Sequence, residues 1–194
     1  MDHDVIVVLC ALAVAGQAVI ALMLLAGLLA LVGVRGPLDS IRRIFWGYEL
    51  WAGFVVAAIA TGGSLFLSEI RAFIPCDLCW FQRVCMYPLS WILLVLAWRG
   101  DHRISRYLLP FPVFGAGVSV YHLLIEHGVI TEPQSCSILP GSPVGCGTQW
   151  INEFGYITIP LLALTGFLLL IGFLVLASAG SGEETATLPA DAER

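Results

Sequence analysis

Lysine is absent from this 194-residue chain, and charge of any kind is scarce. Nine basic residues, all arginine, and 14 acidic ones make up 12% of the sequence, about half the share usual in a soluble domain. With so little charge the chain cannot cover itself with polar surface. It cannot be a basic nucleic-acid module, a disordered chain or a long coiled coil. What is present is apolar: hydrophobic residues reach 59% and mean hydropathy is +0.91. Lipid must form part of the solvent.

Five apolar runs can each cross a bilayer. Val5 to Val34 carries no charge, and Gln17 is its most polar residue. Thirty helical residues would measure about 45 Å against about 30 Å of hydrocarbon, so tilt or a protruding end is expected. A signal peptide is the competing reading. However, Asp2 and Asp4 replace the usual basic start, and the run is too long for a signal core. Phe45 to Leu67, Trp80 to Trp98, Leu108 to Ile125 and Ile157 to Ala179 follow.

Five spans put the termini on opposite sides. Arg35, Arg42, Arg43, Arg99, Arg103 and Arg106 fall in the first and third linkers, which share a side by parity. The excess of arginine marks that side as cytoplasmic. The N-terminus and the second and fourth linkers are then extracytoplasmic. Gly180 to Arg194 is small and acidic and reads as a disordered cytoplasmic tail.

This topology sorts the cysteines. Cys76, Cys79, Cys136 and Cys146 fall on the outer face, where disulfides persist. Cys10 and Cys85 lie within spans and read as packing residues. Cys76-Asp77-Leu78-Cys79 has redox-dithiol spacing and sits where a helix begins, so free N–H groups favour a thiolate. Arg83, one turn beyond Cys79, either serves an anionic group or snorkels to the interface. Cys136 and Cys146 bracket a loop rich in proline and glycine, which a simple disulfide staple would also explain. Two pairs on one face suggest disulfide exchange between them. A four-cysteine metal site is disfavoured by the nine residues between the second pair and by an oxidising compartment. Gln149 to Tyr156 reads as a short surface helix or as part of an aromatic belt.

The stretch Phe73-Ile74-Pro75-Cys76-Asp77-Leu78-Cys79-Trp80-Phe81-Gln82-Arg83-Val84-Cys85-Met86-Tyr87-Pro88 strongly resembles the DsbB/BdbC family of membrane disulfide-bond formation proteins. Gly63 to Glu69, Tyr121-His122 and Gly155 to Leu164 are similar to its BdbC branch. The resemblance covers about residues 46 to 177. It implies an all-α fold, with a four-helix DsbB-like bundle over 46–179. Residues 1–45 then form an additional N-terminal transmembrane helix and linker, and 180–194 the tail.

The family's activity, as the resemblance implies it, is protein-disulfide:quinone oxidoreduction in a prokaryotic inner membrane. The enzyme reoxidises a DsbA-like thioredoxin-fold thiol oxidase and reduces ubiquinone or menaquinone. Cys79 corresponds to the quinone-facing cysteine, Cys76 to its disulfide partner, Arg83 to the quinone-proximal arginine, and Cys136 and Cys146 to the partner-facing pair. The additional helix and the elongated spacing of the loop pair depart from the family pattern. A vitamin K epoxide reductase-like enzyme would carry its CxxC in a late core helix, whereas here it opens an early one. A non-catalytic scaffold with two structural disulfides is the remaining alternative.

Overall fold

A computed structural model describes residues 2–131 and 145–186. Helix α1 spans Asp2–Leu31 and α2 Gly36–Phe45; α3 covers Glu49–Leu65 and ends in a π-helical turn, Phe66–Ile70. Then come α4 (Asp77–Arg99), α5 (Ser105–Leu108), α6 (Pro110–Glu126) and α7 (Ile159–Ala186). Among the described residues, five segments are long and apolar enough to cross a membrane: His3–Leu31, Glu49–Ile70, Asp77–Arg99, Ser105–Glu126 and Ile159–Ala179. The chain is an all-α, polytopic helical bundle with an extra N-terminal helix. A lone bridge between Glu153 and Ile157 is the β pairing found among the described residues.

Backbone chemistry sets the boundaries. Gly33 and Gly47 take positive φ, 98° and 80°, so α1 stops short of Val34 and the second span starts at Glu49. The arginine-bearing linker between them folds as α2, with a proline in its first turn. At the other end of the chain, α7 runs past the expected boundary at Ala179 and into the segment expected to be disordered, as far as Ala186. Residues 187–194 lie outside the described ones.

Helices α3, α4, α6 and α7 surround a core that includes Leu50, Leu89, Leu93, Phe167, Leu170 and Leu174. Lipid tails are as apolar as leucine, so close packing rather than water exclusion must hold these helices together. Gly115 shows how close. A Cβ placed there would collide with the Phe167 ring, which is fully buried. Lipid-facing positions such as Trp91 and Trp98 remain apolar and exposed.

Helix α1 leans on α7. Gln17, the most polar residue within its apolar run, is satisfied by α7 and the turn before it: Gln17 Nε2 donates to Thr165 Oγ1 at 3.4 Å, and the Tyr156 hydroxyl donates to Gln17 Oε1 at 3.1 Å. Cys10 is buried against Leu67, Ile151 and Ile157, while Cys85 sits in the main core. Both thiols are free and apolar in surroundings, as packing residues would be.

Candidate redox site

The end of α3 delivers the first pair. Ala72 adopts φ 54°, a conformation that costs a non-glycine residue free energy, and it turns the chain out of the helix. The Phe73 N–H reaches back to the Leu67 carbonyl at 3.0 Å. Phe73 then stacks on Trp150, with centroids 5.0 Å apart, which fastens the segment to the loop before α7. Pro75 continues this exit, and Cys76 caps α4 with extended backbone, φ −79° and ψ 174°. Cys79 follows in the first helical turn. The two Sγ atoms are 3.3 Å apart, and both cysteines are free.

His122 and Cys146 complete one side of the site. Cys76, Ile125 and Cys146 form one buried cluster, with Cys79 packed against it. Cys146 is disulfide-bonded, and Cys136 lies outside the described residues. The His122 Nε2 is 3.0 Å from the Cys146 carbonyl oxygen and 3.8 Å from Cys76 Sγ. A carbonyl only accepts, so Nε2 carries a proton and donates. Its Nδ1 is buried without a partner among the described residues.

The hydrogen bond with the Cys79 thiol, aided by the bond and charge of His122, pulls the Cys76 thiol down to about 4 from an ordinary 9.0. Burial opposes this and is outweighed. The same cluster offers three ligand atoms, from Cys76, Cys79 and His122, within 4.8 Å of one another. A thiophilic cation could use them while the pair is reduced; closing the disulfide removes two of the donors.

On the other side of Cys79 lies a cavity of ≈ 280 Å³ bordered by Cys79, Gln82, Arg83, Met86 and Tyr87 of α4. Arg83 is held in place: its Nη2 donates to the Ser64 carbonyl at 3.3 Å, and its guanidinium lies over the Trp80 ring at 5.3 Å. These contacts offset part of the cost of a cation at this depth. The Gln82 side chain is buried, and its Nε2 has no hydrogen-bond partner among the described residues. An orphaned amide donor is costly unless something accepts from it. A quinone fits these features: a flat apolar ring for the walls, and carbonyl oxygens for Gln82 and Arg83.

The structure thus brings Cys76, Cys79 and Cys146 together and sets Arg83 one turn below Cys79. Two participants carried no role in the sequence reading. His122 was visible as a histidine inside an apolar run, and Gln82 as an amide in another. Of the two readings of Gln149–Tyr156, a surface helix or part of an aromatic belt, the helix is not formed. Phe154 and Gly155 take φ of 53° and 79°, which a helix cannot accommodate, and they make a reverse turn closed by the Glu153–Ile157 bridge.

Fold and site together define a membrane-embedded thiol redox protein with paired cysteines. The family profile described as "Disulfide bond formation protein DsbB" matches residues 42–177, and the chain belongs to that family. It is 49% identical over 135 residues to "Disulfide bond formation protein C" of Bacillus subtilis, covering 69% of this chain and 95% of that protein. A "Probable disulfide formation protein" of Deinococcus radiodurans is 37% identical, covering 65% of this chain and 86% of its own. One of the same name from Coxiella burnetii is 36% identical, covering 71% and 92%. No solved structure matches the chain.

Proposed function

We propose that the protein is a quinone-dependent thiol–disulfide oxidoreductase, which reoxidises an extracytoplasmic DsbA-like thioredoxin-fold protein and so drives disulfide formation in exported proteins. The observation that carries this reading is that Cys79 borders two cavities at once. One is the larger cavity with Gln82 and Arg83. The other is a small pocket shared with Cys76, His122 and Cys146. A dithiol placed between a protein-facing disulfide and an apolar slot can pass electrons from one to the other.

In this reading residues 46–179 are the redox domain, residues 1–45 an added helix and linker, and 180–194 a cytoplasmic tail. The arginine-rich linkers face the cytoplasm of a prokaryotic cell, while the N-terminus and both cysteine pairs face outward. The partner's first thiolate attacks Cys136, and its second resolves the mixed disulfide, leaving Cys136 and Cys146 reduced. Cys146 attacks Cys76, the Cys76–Cys79 bond breaks and Cys79 leaves as thiolate. Cys136 then attacks Cys146, restores the loop disulfide and expels Cys76. A thiol of depressed pKa leaves faster, so the environment of Cys76 assists this step. A quinone, ubiquinone or menaquinone, held beside Cys79, Gln82 and Arg83 would supply the sink for two electrons and two protons as Cys76 and Cys79 close their disulfide again. Arg83 stabilises negative charge developing on a quinone oxygen.

The test is anaerobic reoxidation of a reduced thioredoxin-fold oxidase by the purified protein with added quinone. Turnover should need the quinone and all four cysteines. Oxidation that persists without quinone, or after Cys79→Ala, would overturn the assignment.

A further inference from the structure

The family match begins at residue 42, so α1 lies outside it. Yet α1 borders the same cavity as the redox pair: Leu9, Leu12 and Ala13 line it together with Cys79 and Arg83. We propose that α1 is a structural wall of the quinone site, with Ala13 setting the room for the ring and Leu12 flanking the exit of the prenyl tail. This rests on the reading that the cavity takes a quinone, and it adds a determinant that the four-helix core lacks.

Three observations carry it. First, α1 is seated on the core rather than adrift in lipid. A Cβ at Gly16 would come within 2.9 Å of Leu169 and 3.2 Å of Thr165, and one at Gly63 of α3 within 3.2 Å of Leu9. Gln17 adds its two hydrogen bonds to Thr165 and Tyr156. Second, one helical face points inward. Ile6, Cys10 and Ala13 are buried, at spacings of four and three residues, and the lining residue Leu9 neighbours them on that face. Third, the cavity has an open side. Among its lining residues Leu12 is 47% exposed on α1 and Ile59 is 40% exposed on α3. A membrane quinone has a flat head and a long isoprenoid tail, and the tail needs an apolar way out to lipid. Leu12 and Ile59, apolar lining residues that are both exposed on membrane-spanning helices, mark the route assigned to it.

Without α1 the same groove on α3, α4 and α7 would face lipid directly. With α1 in place, the ring is gripped on a further side, and head groups too wide for the slot are turned away. Specificity therefore rests partly on residues of α1.

The experiment uses the full-length protein in detergent or nanodiscs, and reads quinone binding by fluorescence quenching rather than turnover. Ala13→Phe places a phenyl ring in the slot and should weaken quinone affinity about tenfold or more. Leu24→Phe, on the lipid-exposed face of the same helix, should leave it unchanged. An azidoquinone photolysed in the unmodified protein should label the peptide containing Leu9–Ala13, a readout that does not depend on any variant folding. Unchanged affinity in well-folded Ala13→Phe, equal weakening by both variants, or photolabel confined to α3, α4 and α7 would each overturn the wall. Failure of the unmodified protein to bind any quinone would instead sink the functional reading on which the wall depends.

Discussion

The thiol of Cys76 gives the sharpest test of the site, because its surroundings act on a quantity that can be titrated. An ordinary thiol of pKa 9.0 is about 0.1% ionised at pH 6; one held at about 4 is almost fully ionised, roughly a thousandfold difference. The Cys79 hydrogen bond is the first cause and His122 the second, so removing the imidazole should raise the value without restoring it fully. The assay is ultraviolet thiolate absorbance of the reduced protein against pH, in a chain lacking Cys10 and Cys85. One thiolate should persist through pH 5 and 6 and disappear only as pH approaches about 4. Cys76→Ser should abolish that phase, and His122→Ala should move it upward. The direction of linkage follows. A depressed folded-state pKa stabilises the reduced fold fully above 9.0, and this contribution is lost progressively as pH falls toward about 4. The disulfide form has no such proton. Reduction of the inner pair by the loop pair should therefore become less favourable in acid. Absence of any thiolate below pH 7, or an unmoved phase in His122→Ala, would refute the reasoning.

Arg83→Lys should impair quinone reduction and Arg83→Ala should impair it more, since lysine keeps the charge but loses the planar donor fork. Steady-state kinetics on well-folded variants would show a higher KM for quinone or a lower kcat, with single-turnover exchange between the partner and the loop pair less affected. Replacing Cys146 with Ala should leave Cys136 able to hold the partner in a slowly resolving mixed disulfide, visible on non-reducing gels. A membrane-impermeant thiol reagent should label reduced Cys136 in intact cells; labelling only after membrane disruption would reverse the proposed orientation. Gly115→Ala should lower stability by about 1–3 kcal/mol, measured as a fall in thermal midpoint, because the Phe167 ring opposite has no room to withdraw.

The fold was legible because lipid imposes one simple rule. Every spanning backbone must satisfy itself within a helix, so apolar runs already define the spans. Span ends shifted where glycines at positive φ cut the helices, as at Gly33 and Gly47. The CxxC pair and Arg83 were legible because their spacing is local, within two turns of one helix. His122 and Cys146 meet Cys76 from other parts of the chain, and no periodicity in α6 announces that the ring will sit 3.8 Å from a sulfur. Gln82 differs again. Its neighbours are local, but only the packed bundle reveals that its amide is buried with nothing to accept from it. The first helix lies furthest from such reasoning. Composition makes it a membrane span, yet its inward face is marked only by small or unremarkable residues, Gly16, Ala13 and Cys10 among them. They matter because Gly16 lets α1 approach α7 closely, and Ala13 borders the cavity that Cys79 and Arg83 of α4 also line.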